Sequence, residues 1–431
     1  MFTPRCLASL PGFPGDPVPG TSRRWLTIRR LSCLALAALC CWTSPASAQG
    51  PFALLNLGSS IQVHDARITG RGGWGMAEQD TLLPGFKNLA SLAPLQGVTI
   101  LLSGYAEGRD SQSDGTGRKT RRVLTPTVRA AIPLLGNRGA LTAGFLGRRA
   151  TEFSYTQPQT WQAGDLVVEG TEDFLRDGTQ FEIPIGLAWR FSPIIAVGAS
   201  VNLVRGSINE TLNNFFDTDA DGNGVVDYLP RSRSVNDELS GTSSTFAFLV
   251  SPFPRFQLGG SFTAAHEVEM KRHLEIGGVA AKADSSFSVQ MPLAWSAGCN
   301  IRFSPRWRFG LDYDYQAYSE FSGRDDWAAD MVDEWTWACG FERDRESVRR
   351  GGWSNLPIRF GAAVRQWGYK VGGNEIDELQ LTFGSGFPLQ RGSGHLDFAI
   401  SHVWVGDLDR NGSEDRIWRV TVSVIGIEKW W

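Results

Sequence analysis

Apolar and polar residues alternate with a period of two along most of this chain. From 307 to 316, Trp307, Phe309, Leu311, Tyr313 and Tyr315 fall on one side, and Arg308, Gly310, Asp312, Asp314 and Gln316 on the other. Successive side chains of a strand point to opposite faces, so the pattern predicts a strand with one apolar and one polar face. Phe181, Ile183, Ile185, Leu187, Trp189 and Phe191 alternate in the same way with Gln180, Glu182, Gly186 and Arg190. So do residues 256–263, the set Phe287, Val289, Met291, Leu293 and Trp295, and the set Trp418, Val420, Val422 and Val424. Further candidate strands are 97–106, 122–133, 139–153, 194–207, 243–251, 356–366, 377–387 and 394–404, thirteen in all. Single-chain bacterial barrels favour even strand numbers, so one strand is expected to be missing and about fourteen are predicted (range about 12–14).

A soluble sandwich would show the same alternation; the connections separate the two folds. One set is short: 135–139, Phe191-Ser192-Pro193, 251–255 and Phe303-Ser304-Pro305-Arg306. The alternate set, 107–121, 154–178, 208–241, 266–285 and 320–353, is long and polar. Short turns at one end and long loops at the other are the habit of outer-membrane barrels. The predicted fold class is therefore all-β, a transmembrane antiparallel up-and-down β-barrel with lipid outside, a polar lumen inside, and the long loops external.

Composition supports this reading. The chain has 16 Trp and 49 Gly, a mean hydropathy of −0.18, and no apolar run near 18 residues. The last point excludes a helical membrane protein. Arg23, Arg24, Arg29 and Arg30 precede the apolar run Leu31–Trp42 and Ala46-Ser47-Ala48, which predicts a signal peptide over 1–48 and export to the bacterial outer membrane. Removing it shifts the net charge from −3 to −7, with no clustered basic excess for nucleic acid. Only Cys299 and Cys339 remain. Cys299 is placed near a short turn and Cys339 in an external loop, too far apart for a disulfide.

Residues 49–96 are irregular and Gly-rich. Such backbone at membrane depth must be buried in protein or line a cavity, which predicts a hatch-like plug before the barrel at 97–431; a periplasmic tail is the alternative.

The candidate chemistry is sparse. Asp217, Asp219, Asp221, Asn223 and Asp227, with Gly222 at the turn, set out oxygen ligands at the spacing of a calcium loop, and Ca²⁺ is the one cofactor considered. Asp407, Asp409, Asn411 and Asp415 repeat the spacing, but Asn411-Gly412 reads better as a hairpin turn. Glu182, Arg190, Arg302, Arg308, Asp312, Asp314 and Arg359 fall on the polar face and are expected in the lumen, either meeting a carboxylate headgroup or pairing between hatch and wall. No nucleophile elbow or phosphate-binding loop appears, and an enzyme is not expected.

Two segments resemble the FadL/TodX-type outer-membrane transport family. The first runs from Asp65-Ala66-Arg67 through Gly70-Arg71-Gly72-Gly73-Trp74 to Asn88-Leu89-Ala90, where the family has Asn-Pro-Ala. The second includes Gly384-Ser385-Gly386-Phe387-Pro388, Leu396-Asp397-Phe398 and the closing Lys429-Trp430-Trp431. The resemblance implies a hatch containing Gly70, Gly72, Gly73 and Asn88. It also implies passive transport of hydrophobic compounds of the fatty-acid or hydrocarbon kind. Expected partners are that cargo, outer-membrane lipids and the barrel-assembly machinery, which commonly reads an aromatic C-terminus. A general porin or structural barrel is the alternative.

Overall fold

Strands dominate because the period-2 pattern gives each a lipid face and a lumen face, and closure leaves no edge exposed in the membrane. The computed structural model describes residue 52 and residues 58–428, apart from 81–84, 114, 137, 164–165, 218–228, 278, 281–284, 324–329, 346–355 and 390–393. The predicted signal peptide and the closing Trp430-Trp431 lie outside the described residues.

A two-residue strand, β1 (Ser59–Ser60), belongs to the plug. The wall follows as β2 (Val98–Ser113), β3 (Thr116–Leu134), β4 (Gly139–Ala163), β5 (Leu166–Arg190), β6 (Ile195–Phe216) and β7 (Arg231–Phe253). β8 (Phe256–Thr263) and β9 (His266–Ile276) form one interrupted stave; β10 (Val279–Ala280), β11 (Ser285–Met291) and β12 (Ala294–Arg302) form the next. β13 (Trp307–Gln316), β14 (Glu334–Arg343), β15 (Ile358–Val371), β16 (Asn374–Pro388), β17 (Gly394–Asp407) and β18 (Ser413–Glu428) complete the sheet. β18 pairs with β2 from Glu428↔Val98 to Ser413↔Ser113, closing a 14-stave antiparallel barrel.

The stave missing from the sequence reading is β14, inside the segment expected to be the loop 320–353. Other expected loops prove to be strand as well. The connection expected at 107–121 narrows to the two residues between β2 and β3, and 154–178 is mostly the upper halves of β4 and β5. Each of these two strands has 25 residues, while about 9–11 suffice to cross the bilayer. The sheet therefore continues well beyond the lipid at one end, where both faces of a strand can be polar.

The polarity of the wall inverts at that boundary. On β8 and β12 the apolar residues Leu258, Phe262, Trp295 and Ile301 face outward, while Asn300 is buried inside. On β9 and β11 the outward residues are Glu267, Glu269, Ser288 and Gln290, and Val268, Met270, Val289 and Met291 are buried within. Phe287, Val289 and Met291 were expected on the same face as Trp295; they point the other way. Pro292, with no N–H for the ladder, stands at the break that reverses the face.

Cys339 also differs from expectation. It lies in β14 opposite Leu311, and Cys299 of β12 faces the same Leu311 from the other side. The two thiols are free because two strand spacings, roughly 9–10 Å, separate them.

Candidate transport pathway

The described residues among 58–97 lie inside the barrel. A short helix, α1 (Ala66–Gly70), begins at Asp65, whose carboxylate accepts the Ile68 N–H at 2.9 Å. It packs on β15 to β18, and the Ala66 N–H donates to Ser423 Oγ. A second turn, Leu89–Leu92, is capped by Asn88, whose Oδ1 accepts the Ala90 N–H. The Asn88 amide also donates to Met76 O at 2.7 Å and Phe248 O at 2.9 Å, tying the plug to β7. Leu89 itself sits against Gly186 and Gly198 of β5 and β6.

Glycines in the wall make room for this plug. Gly310, Gly340 and Gly361 stand side by side on β13, β14 and β15. A Cβ on Gly361 would lie 2.3 Å from the Arg71 carbonyl carbon, and one on Gly340 2.4 Å from Arg71 O. Gly70 passes against Gly384 of β16; Gly72 and Gly73 take φ of +85° and +98°, open to glycine without strain.

A buried ion-pair cluster fixes plug to wall. Glu342 of β14 accepts from Arg67 at 3.1 Å, Arg71 at 2.8 Å and Arg359 at 2.8 Å. Glu78 of the plug pairs with Arg67 at 2.9 Å, with Arg71 and with Arg308 of β13, and Arg359 reaches Asp397 at 2.7 Å. Burial pushes the Glu78 carboxyl up, but Arg67 and Arg71 outweigh it and hold it at about 2. Lys87 bridges Asp312 and Asp314, each at 3.0 Å.

Of the predicted lumen charges, Arg308, Asp312, Asp314 and Arg359 therefore contact the plug or its cluster. Glu182 pairs with Arg148 at 2.6 Å beside the cavity. Arg190 and Arg302 sit at the short-turn rim; Arg302 is half exposed, 3.8 Å from Asp344. Asp217 is exposed at the end of β6, and Asp219, Asp221, Asn223 and Asp227 lie outside the described residues. The Asp407 region is a capped helical turn: the Asp407 carboxylate accepts from the Asp409 and Arg410 N–H groups, and Gly412 takes φ +66°.

The plug also seals one end. Phe86, Leu92 and Leu95 pack against Ala131, Ala188, Ala247 and Leu249 at the short-turn end. Above this seal lies a cavity of about 480 Å³ with a mixed lining that includes Ile61, Leu146 and Met291 as well as Arg129, Glu182 and Asp314.

The wall beside the cavity is split. Among the described residues, β3 pairs with β4 only over Thr127–Leu134 and Gly139–Leu146. Beyond that point Pro126 offers no N–H, and β4 carries a register shift between Gly147 and Arg149. The plug fills the gap. Ser59 and Ser60 pair with Ala150 and Arg149, the Ile61 N–H donates to Arg148 O at 2.9 Å, and Thr127 Oγ1 donates to Val63 O at 2.7 Å. At the far end Arg118 donates across the split to Ser154 O at 2.6 Å. Neither the split nor β1 was visible in the sequence; Pro126 inside an alternating run is the one trace of it.

This architecture is a closed antiparallel barrel of 14 staves, apolar on much of its outer face, around an internal N-terminal segment. It is similar to the solved FadL homologue of Pseudomonas aeruginosa, at 15% identity over 85% of this chain and 99% of that one, with a TM-score of 0.58. The toluene transporter TbuX of Ralstonia pickettii matches at 15% identity over 84% and 98%, TM-score 0.56. The monoaromatic hydrocarbon channel CymD matches at 15% over 87% and 99%, TM-score 0.55. No curated protein matches the chain. The family profile described as BamG matches residues 28–431, and the chain belongs to that family.

Proposed function

We propose that this protein is a passive outer-membrane channel for hydrophobic compounds, which leave the cavity sideways through the split between β3 and β4. The split, filled only by the plug's own strand, carries this reading. The apolar seal and the ion-pair cluster oppose a straight path to the short-turn end, because breaking a buried ion pair costs about 3–5 kcal/mol. A lateral route needs the edge contacts of residues 59–63, and the Arg118 hydrogen bond at the far end of the split, to part. It also delivers an apolar molecule to lipid, where it is favoured. No covalent chemistry is required, and the reading is of a channel, not an enzyme. The similarity to channels for toluene and other aromatic hydrocarbons supports a hydrophobic cargo of the fatty-acid or hydrocarbon kind. The match to the BamG family model supports the barrel-assembly machinery as a partner.

The test is reconstitution into lipid vesicles. Accelerated uptake of a fluorescent hydrophobic probe, with little ion conductance, is expected. Steady ion conductance without probe uptake would replace this reading with that of a general porin.

A further inference from the structure

The connection after β13 begins inside the barrel, over residues 317–323. Ala317, Tyr318 and Phe321 are all buried, and Tyr318 and Phe321 join Val268, Met270, Val289 and Met291 in an apolar layer directly over the cavity. The Gln290 N–H of β11 donates to Ser322 O at 2.7 Å, and Gly323 packs on Ser288 and Val289. On the opposite side, β15 shifts register between Gln366 and Lys370, and Gly368 in that shift lies flat beneath the tyrosine. A Cβ at Gly368 would come within 2.5 Å of the Tyr318 ring. Residues 317–323 thus form a strap across the wide mouth, seated in a place made for it.

One side chain joins this strap to the plug. Arg149 of β4 donates through Nη2 to the Tyr318 hydroxyl, its guanidinium lies 5.1 Å from the Tyr318 ring, and its Nη1 donates to Gly58 O at 3.1 Å. Arg149 is also the residue opposite Ser60 in the strand that fills the split. The mouth and the lateral opening therefore lean on the same guanidinium, from opposite sides.

We infer that the 317–323 strap is the outer gate of the cavity and that Arg149 is a positioning residue coupling it to the plug strand, so that lifting Tyr318 loosens residues 58–60 and frees the split. Without its Tyr318 partner, Arg149 is left to find another acceptor and holds Gly58 less firmly. A hydrophobic molecule pushing between Tyr318 and Phe321 would thereby open its own exit. This inference rests on the lateral route proposed above, and its test separates the two.

The full chain is used, with Cys299→Ala and Cys339→Ala as background and Ser59→Cys as reporter. The rate at which a water-soluble maleimide labels position 59 reports release of the plug strand, whether or not anything is transported. Tyr318→Phe keeps the ring over Gly368 but removes the hydroxyl. It should speed labelling by at least about tenfold, the factor expected from losing a hydrogen bond to a charged group. Locking the strap to β11 with an oxidised Gln290→Cys/Ser322→Cys pair should slow labelling, and Tyr318→Phe should abolish that dependence. Because the added pair brings thiols of its own, it is oxidised before the maleimide is added. Labelling that ignores both the lock and Tyr318→Phe, in a barrel shown folded by its heat-shifted gel mobility, overturns the coupling. Absent probe uptake by the unmodified protein with labelling still coupled would instead refute the transport reading and leave the strap linkage standing.

Discussion

Glu342 accepts from three arginines within 3.1 Å and has a fourth, Arg308, at 3.6 Å, all in a water-poor interior. Replacing Glu342 removes a carboxylate that these arginines share with Glu78 and Asp397 and leaves an excess of buried positive charge, and losing one partner of a buried ion pair costs about 3–5 kcal/mol. Glu342→Gln should therefore loosen the plug without opening the barrel, read as new protease cleavage confined to residues 58–97; an uncut plug would mean the cluster is not its anchor. Gly361 makes a different demand. A side chain there would occupy the space of the Arg71 carbonyl carbon, 2.3 Å away, so Gly361→Val should expose the plug to hydrogen exchange. Gly108→Val, where a Cβ meets nothing within 4 Å, should not. The lumen charges could be assigned to the polar face from alternation alone. Their partners could not: Arg67 and Glu342 are 275 positions apart in sequence, and no local pattern connects them.

At the scale of elements, period-2 alternation exposes a strand only where its two faces meet different media. Thirteen staves met that condition. β14 also alternates, with Trp335, Trp337 and Phe341 against Thr336, Ala338 and Gly340, but the polar stretches on either side made it read as loop. Beyond the lipid the contrast fades or reverses, which is why the upper halves of β4 and β5 passed for loops and Phe287, Val289 and Met291 were placed on the wrong face. The plug was legible as glycine-rich and irregular; its strand β1, two residues long, was not. Two predictions belong here. Glu78 titrates at about 2 when folded, below its ordinary 4.5, so its contribution to plug docking is full above about pH 4.5 and is lost as pH falls through about 2. Burial also holds His64 of the plug neutral, at about 3 against an ordinary 6.5, so plug protection should begin to fall below about pH 6.5 and fall further in stronger acid as Glu78 protonates. The acidic segment 217–227, if it holds Ca²⁺ as its spacing suggests, should raise the melting temperature with the metal, and Asp219→Ala should remove the difference from a chelated sample.

At the largest scale, the described residues of the barrel seal one end, strap the other and part the wall at one side. An apolar seal and an ion-pair cluster close the short-turn end, and a strap closes the wide mouth. The wall between β3 and β4 is completed by borrowed plug residues rather than by its own ladder. A hydrophobic solute gains nothing by crossing to water at the sealed end, whereas the proposed lateral route delivers it to lipid. The measurement that tests this most directly is probe uptake by vesicles carrying Ser59→Cys and Ala150→Cys, neighbours across that borrowed pairing, in the Cys299→Ala and Cys339→Ala background. Oxidation should stop uptake by pinning the plug strand in the split, and reduction should restore it. Uptake that continues unchanged with the disulfide formed would contradict a lateral exit at this place.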